Sequence, residues 1–348
     1  MSNTIDFGRH TWWIVGRFRI DVRAFTVTCI LLAITLAIAI LGVLTGTGSI
    51  GPSDVLDVIQ GNAKPSVEMV VIQWRLPRVI VAIGVGACLA VAGAVFQSLT
   101  NNPLGSPDVI GFQTGAYTGA LIVMLVIGST STLWVSSAAL LSGLITAVVV
   151  FALSIRRGRS SPIRLIIVGI GVSAALASFN TWLLLRAEVE EALMASLWGA
   201  GTLSGSTWEK TIPAVSACAG FLIASSFLAR PLNTLQTGVD TATALGQRVR
   251  LVQLSAVMIG IGLTAIATAT TGPIAFIALA APQIARRLTR QAEIPFAASA
   301  AVGATLLILA DIIAQRIHGQ TPLPVGLVTV FVGGLYFLWL LLRERNSR

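Results

Sequence analysis

The sequence predicts an all-α membrane protein that crosses the bilayer about ten times. Of its 348 residues, 55% are hydrophobic and only 11% are charged, and the mean hydropathy is +0.86. Soluble domains carry about 25% charged residues. Apolar stretches of about 20 residues, the length that a helix needs to cross a bilayer, recur along the whole chain. No stretch is long and polar enough to form a separate soluble domain.

Ten apolar windows define the predicted spans in order. The third is rich in glycine and is expected to be short or tilted. The eighth contains Pro273 and Pro282 and is expected to be kinked or broken, because proline cannot donate the helical hydrogen bond. The windows lie at 25–45, 79–99, 109–128, 133–154, 163–185, 211–229, 252–271, 274–289, 296–315 and 324–342.

Basic residues predict the orientation, since cytoplasmic segments of membrane proteins are rich in arginine and lysine. With a cytoplasmic N-terminus, 17 of the 23 basic residues face the cytoplasm and six face outward. This predicts a cytoplasmic segment at 1–24, a membrane domain at 25–342 and a cytoplasmic tail at 343–348. The arginines are spread over five cytoplasmic segments, which argues against a nucleic-acid surface and for a chain embedded in a lipid bilayer.

Residues that carry chemistry are scarce. The three cysteines, Cys29, Cys88 and Cys218, lie within apolar segments without the spacing of a zinc site, and His10 and His318 have no acidic companions. A membrane enzyme would need such groups to converge, so no catalytic, metal or cofactor site is predicted. The chain also lacks the GxxxxGK[ST] phosphate loop, so any ATP hydrolysis belongs to another polypeptide.

The longest polar interruption on the predicted cytoplasmic side runs from 230 to 250. Pro231 is expected to stop the preceding span. Asp240 or Thr241 is suited to cap a short helix that ends at Leu245-Gly246, with the glycine in the left-handed conformation. Two short helices along the membrane surface would fit this pattern. The alternative is an ordinary solvated connector.

Three arginines on the predicted outer side are exceptions to the charge rule. Arg75 and Arg78 bracket Leu76-Pro77, and Arg316 precedes a proline-rich loop. One explanation is that their side chains extend to the lipid headgroups. Asp311, near the outer end of the ninth span, is expected to be a satisfied structural carboxylate, because a proton relay would need further acidic or histidine partners in the spans.

Several motifs together resemble one family. They are the run Trp74–Ala116 with its Asn102-Pro103-Leu104-Gly105 turn, the Leu197-Trp198-Gly199 motif, the Thr271-Gly272-Pro273 segment, and Leu323-Pro324-Val325-Gly326 leading to Gly333-Gly334. The chain resembles the FecCD family, the permease subunits of bacterial ABC importers for iron–siderophores, haem and vitamin B12. The resemblance covers nearly all of the chain after residue 25. It implies a vitamin-B12-importer-like permease fold in the bacterial cytoplasmic membrane.

The resemblance also implies partners and site residues. It implies that Asp240, Ala244, Leu245 and Gly246 contact an ATP-hydrolysing subunit, and that Arg75, Arg78 and Arg316 contact an extracytoplasmic siderophore-binding protein. The expected complex has two permease subunits, either paralogues or two copies of one chain, and two ATP-binding subunits that use ATP and Mg²⁺.

Within the family, the runs Asn102–Val109, Leu165–Gly171 and Phe179–Leu185 are most similar to those of ferric-enterobactin permeases. The expected substrate is therefore a ferric siderophore of the catecholate type, with haem or a corrinoid as the alternative within the family. An ion-coupled secondary transporter is the alternative from another class. Gln283 stands where many relatives have histidine, so the role of that histidine does not transfer to this chain.

Overall fold

The computed structural model describes residues 4–6, 11–15, 18–46, 50–108, 111–156, 159–160, 162–291, 293–317 and 323–345. In these parts the membrane domain is helical, as predicted. Its helices are α1 (Val22–Leu44), α2 (Pro52–Gln60), α3 (Pro65–Glu68), α4 (Leu76–Thr100), α5 (Phe112–Leu121), α6 (Thr132–Ser154), α7 (Pro162–Arg186), α8 (Val189–Gly199), α9 (Trp208–Gln236), α10 (Val239–Ala244), α11 (Val249–Thr271), α12 (Ile277–Thr289), α13 (Phe296–Ile317) and α14 (Val325–Arg345).

Each predicted span overlaps one long or medium helix. Among the described residues, six helices are long and apolar enough to cross a membrane by themselves, or seven if the bent α9 is one span. The third and tenth windows lie over shorter apolar segments, Phe112–Val126 and Val325–Tyr336, and the eighth lies over the 13-residue α12, so the count of ten spans is not confirmed. The third window is short, as expected: α5 has ten residues and continues as a π-helix over Ile122–Val126.

Two sets of short strands, one before α1 and one between α6 and α7, depart from the all-helical prediction. Strands β1 (Thr4–Asp6), β2 (Thr11–Val15) and β3 (Phe18–Asp21) form an antiparallel meander before α1. A two-residue hairpin, β4 (Ile155–Arg156) with β5 (Arg159–Ser160), joins α6 to α7. The residues 4–6, 11–15 and 18–21 of the predicted N-terminal segment therefore form a small sheet, and the Asp21 carboxylate caps α1 by accepting a hydrogen bond from the Ala24 amide at 3.0 Å.

Helix α4 lies at the centre of the molecule. Of its apolar window, 89% is buried, against 22% for α1 and 17% for α7. Small residues make this burial possible: a Cβ on Gly86 would lie 2.4 Å from the Gly303 carbonyl oxygen of α13, and one on Gly93 would lie 1.7 Å from the Ala278 oxygen of α12. Close backbone approach of this kind is the usual packing of helices within lipid.

The eighth span is broken, as its prolines predicted. Residues 272–276 are not helical, and α12 begins only at Ile277; Pro282 lies inside α12. Groups from other segments donate hydrogen bonds to backbone carbonyl oxygens in and beside this stretch. The Gln113 side chain donates to the Ile274 oxygen at 3.0 Å, and the Thr202 amide donates to the Thr271 oxygen at 2.7 Å. Irregular backbone at membrane depth is tolerated where protein surrounds it in this way.

Candidate functional site

The segment 230–250 forms one exposed short helix where two were expected. Pro231 does not stop α9, which continues to Gln236 with a bend of 47° between its parts Trp208–Ser226 and Ala229–Gln236. The following helix, α10, starts after Gly238, so neither Asp240 nor Thr241 is its cap. Buried side chains beyond Pro231 explain why the helix continues. Leu232 is fully buried and Leu235 is 4% exposed, so packing keeps the distal part of α9 helical.

The end of α10 is fixed by a pattern of backbone hydrogen bonds. The Gln247 amide donates to the Ala242 oxygen at 3.0 Å, and the Gly246 amide donates to the Thr243 oxygen at 2.9 Å, which is a Schellman motif. Gly246 has φ +80°, the left-handed conformation that was predicted for it. The turn is therefore rigid without further contacts.

The four predicted coupling residues lie on α10 and on the turn that ends it. Asp240, Ala244 and Gly246 are exposed, and Leu245 exposes 70% of its surface. Ala242, fully buried, holds the opposite face of α10 against the protein. The Gln247 side chain donates to the Pro231 oxygen at 2.8 Å and ties the turn back to α9. This geometry gives a small knob of defined shape, suited to insertion into a groove of a partner.

The three outer arginines lie in different environments. Arg75 is 6% exposed, and its guanidinium donates to the carbonyl oxygens of Val43, Gly46 and Ile50 at 2.9–3.1 Å. These carbonyls follow or end α1, so Arg75 holds the α1–α2 connection against α4. It ends a π-helix, Met69–Arg75, that precedes α4.

Arg78 forms a bidentate ion pair with Asp311 of α13. Its Nη2 lies 2.7 Å from Oδ1 and its Nε lies 2.9 Å from Oδ2. The Gln315 side chain also donates to Oδ2 at 2.7 Å. Asp311 is 2% exposed. The expectation that this carboxylate is structurally satisfied is confirmed, and it offers no exposed acid for a proton relay.

Arg316, by contrast, is exposed near the end of α13. The structure therefore brings Arg78 close to the α13 end that carries Arg316, but only Arg316 presents its side chain to the surroundings. The proline-rich loop after it falls largely outside the described residues. The docking role of the three arginines stays a prediction.

A polar group inside the membrane domain was not singled out from the sequence. The Asp108 carboxylate accepts the backbone amide of Phe276, the residue before α12, and its Oδ1 has no hydrogen-bond partner. Phe276 has φ +69°, a strained conformation for a residue with a side chain. Asp108 lies in the Asn102–Val109 run that was noted for its resemblance, but nothing in the run indicated which backbone group it would contact.

Gln283 and Gln97 form a second buried polar contact, between α12 and α4. The Gln283 Nε2 donates to the Gln97 Oε1 at 2.6 Å, and the Gln97 Nε2 donates to the Leu279 oxygen at 3.1 Å. Gln283 thus has a packing partner where many relatives have histidine. Among the described residues, no group of three or more His, Cys, Asp or Glu side chains has the geometry of a metal site.

Comparisons with known proteins place the chain in context. The model of the FecCD transport family matches residues 12–343. The chain is 46% identical to FepG, the ferric enterobactin transport system permease protein of Escherichia coli K12, over 94% of this chain and 98% of that protein. It is 35% identical to HmuU, a hemin transport system permease protein of Yersinia pestis, over 79% and 83%. A solved metal-chelate-type ABC transporter in an inward-facing conformation has a similar fold, with a TM-score of 0.80, 24% identity and coverage of 91% and 99%.

Proposed function

This chain belongs to the FecCD transport family, and from that membership we propose that it carries a ferric siderophore of the catecholate class across the bacterial cytoplasmic membrane. As a permease subunit of an ABC importer, it forms a transport pathway, and a separate subunit hydrolyses ATP. The observation that carries the substrate assignment is the 46% identity to a ferric enterobactin permease over nearly the full length of both chains.

The chemistry of the substrate agrees with the composition of the chain. A ferric tris-catecholate carries several negative charges and is too large and polar to dissolve in lipid. Helices with many small residues and few charges can border a wide passage that does not trap an anion. The same lining would pass haem or a corrinoid, and the 35% identity to a hemin permease keeps haem as the second candidate.

The substrate assignment is tested by growth of a strain that lacks this gene. Under iron limitation with one iron source at a time, we expect no growth on a ferric catecholate siderophore and normal growth on haem. Cobalamin-dependent growth should also be normal. The opposite pattern, with normal use of the siderophore and loss of haem use, would move the assignment to the second candidate.

Contact with one of the two ATP-binding subunits of the complex is proposed for the knob at Asp240, Ala244, Leu245 and Gly246, because the knob is exposed and its turn has a defined shape. ATP and Mg²⁺ are bound by those subunits. Rigid-body movement of a helix against a partner is a common way to transmit such a signal. No chemistry is required of the knob itself.

Docking of an extracytoplasmic siderophore-binding protein is proposed for the opposite face. Arg316 offers an exposed guanidinium, which stays charged and binds carboxylates bidentately. In this proposal Arg75 and Arg78 shape the docking surface from within, since both are engaged with the chain's own oxygens.

The rest of the assembly follows from the same family. We propose that the second permease subunit is a paralogue, with a second copy of this chain as the alternative. The orientation with cytoplasmic N- and C-termini is supported by the arginine distribution. It places the α10 knob in the cytoplasm and Arg316 outside, as the two proposed interfaces require. The ten-span topology belongs to this proposal.

A further inference from the structure

The connection between the α10 knob and the membrane domain contains a compliant joint. Distal α9, which carries α10, departs by 47° from the rest of the helix. Pro231, within this distal part, has no amide hydrogen to give to the carbonyl of Phe227, so one hydrogen bond of the helix is missing near the bend. A displacement of α10 that passed only through α9 would partly be absorbed by further bending here.

A side-chain contact beyond the bend connects distal α9 to another part of the membrane domain without passing through the bend. The Asn233 side chain, two residues after Pro231, donates to the carboxylate Oε2 of Glu293. Glu293 lies in the short loop between α12 and α13. Its neighbour Ile294 is 4% exposed, so the residue next to Glu293 is packed into the protein.

From that loop, α12 leads directly into the centre of the molecule. The Ala278 carbonyl of α12 lies against Gly93 of α4 so closely that no side chain fits between them. The paired side chains of Gln97 and Gln283 fix the same two helices. Because α4 is the most buried of the long apolar helices in the described chain, a movement of α12 is a movement of the core.

We infer that Asn233 and Glu293 form a brace that transmits the displacement of the α10 knob past the Pro231 bend to α12 and α4. Both are positioning residues: they act through the helices they join and contact no transported molecule. The inference rests on the proposed coupling role of the knob. Its distinctive consequence is that loss of the brace lowers the amount of substrate moved per ATP, and not only the amount of folded complex.

The test uses the whole complex in proteoliposomes, with ferric enterobactin as the substrate and its binding protein supplied. Substrate moved per ATP hydrolysed is the readout. We expect Glu293→Ala and Asn233→Leu to lower this ratio about three- to tenfold, the factor that corresponds to the net contribution of one ordinary hydrogen bond. Glu293→Gln, which keeps an acceptor oxygen, should lose less. Glu209→Gln, at the distant start of α9, is the control and should keep the normal ratio.

A reversible cross-link gives the sharper measurement. In a variant with Cys29, Cys88 and Cys218 replaced, Asn233→Cys with Glu293→Cys removes the brace, and a short bis-methanethiosulfonate reagent restores it covalently. We expect a low ratio before cross-linking, recovery after it, and loss again on reduction. A normal ratio before cross-linking, or a further fall after it, would overturn the brace.

One more variant separates this inference from the function on which it rests. Leu245→Arg should uncouple the complex if the knob is the ATPase contact. Normal coupling in Leu245→Arg would contradict the proposed coupling role. Loss of coupling in Leu245→Arg together with a normal ratio in Glu293→Ala would leave that role intact and remove the brace alone.

Discussion

Three arginines at one end of the molecule show how differently a membrane protein can use one side-chain type. Arg75 donates to three carbonyl groups, Arg78 is paired with Asp311, and Arg316 is exposed. The sequence identified all three as exceptions to the charge rule. It could not distinguish their roles, because Asp311 is 233 residues from Arg78 in the chain and the pairing depends on the packing of α4 against α13.

Charge reversal at Arg316 should weaken docking of the binding protein without loss of folded protein. An exposed ion pair contributes about 0.2–1 kcal/mol, and added like-charge repulsion brings the expected loss of affinity to about three- to tenfold for Arg316→Glu. Binding to the reconstituted permease at low ionic strength measures this. Lys210→Glu, another reversal on the same predicted side, serves as the control. Equal effects of both variants would indicate only a general electrostatic contribution.

Removal of one member of the Arg78–Asp311 pair should destabilise the membrane domain. Leaving a buried charge unpaired costs about 3–5 kcal/mol, and Arg78 is 14% exposed, so the lower end of that range is expected for Asp311→Asn. Thermal unfolding in detergent should show a clear drop in Tm. The double variant Arg78→Leu with Asp311→Leu should recover much of the loss, since no charge remains; a double variant as unstable as the single one would show that the pair is not what matters.

At the scale of the helices, the glycine content of α4 predicted its close packing against other helices. Two of its three glycines face other backbones and not lipid: Gly86 lies against Gly303, and Gly93 lies against Ala278. The sequence predicted close packing, but not which helices would meet. Each predicted apolar window also overlapped a helix, although the short helices α2, α3, α8 and α10 lie outside the windows, and Pro273 correctly predicted the broken span. Pro231 was misjudged, because the buried leucines beyond it keep the helix going despite the lost hydrogen bond.

Gly93→Ala should therefore be far more harmful than alanine at an open position. Its Cβ would overlap the Ala278 oxygen, so α12 must shift, at a cost of about 1–3 kcal/mol or more. At Gly220 of α9 nothing lies within 4 Å of an added Cβ, and Gly220→Ala should be neutral or stabilising by up to about 1 kcal/mol. Thermal unfolding of both variants in detergent gives the comparison, and similar Tm values would contradict the packing argument.

At the scale of the whole molecule, the two ends of the helical domain carry different candidate contact sites. One carries the start of α1, the α10 knob and the Asn233–Glu293 contact, and the other carries Arg75 and Arg316. The distribution of basic residues along the sequence predicted which segments lie at which end. The small N-terminal sheet was not predictable, because strands of three to five residues beside a long apolar span leave no clear periodicity.

Labelling of single cysteines tests the proposed orientation, in which the N- and C-termini and the α10 knob lie in the cytoplasm. In a variant without the native cysteines, Leu245→Cys is expected to react with an impermeant maleimide only in inverted vesicles, and Gly205→Cys only in right-side-out vesicles. Both positions are exposed, and although Gly205 has φ +76°, which a side chain adopts only with strain, it has open space around it. Reaction of both in the same vesicles would contradict the alternating topology.

The Arg78–Asp311 pair also bears on how the chain is made. The ribosome delivers α4 to the membrane more than 200 residues before α13, so Arg78 enters the bilayer long before its carboxylate partner exists. During that interval the Arg78 side chain lacks its carboxylate partner, and the small-residue surface of α4 lacks α13. Chains truncated before α13 should consequently be short-lived in the cell. The ion pair forms only when the ninth apolar segment has been inserted and Asp311 compensates the charge of the Arg78 guanidinium. Cellular quality control could therefore distinguish complete from incomplete chains at this step.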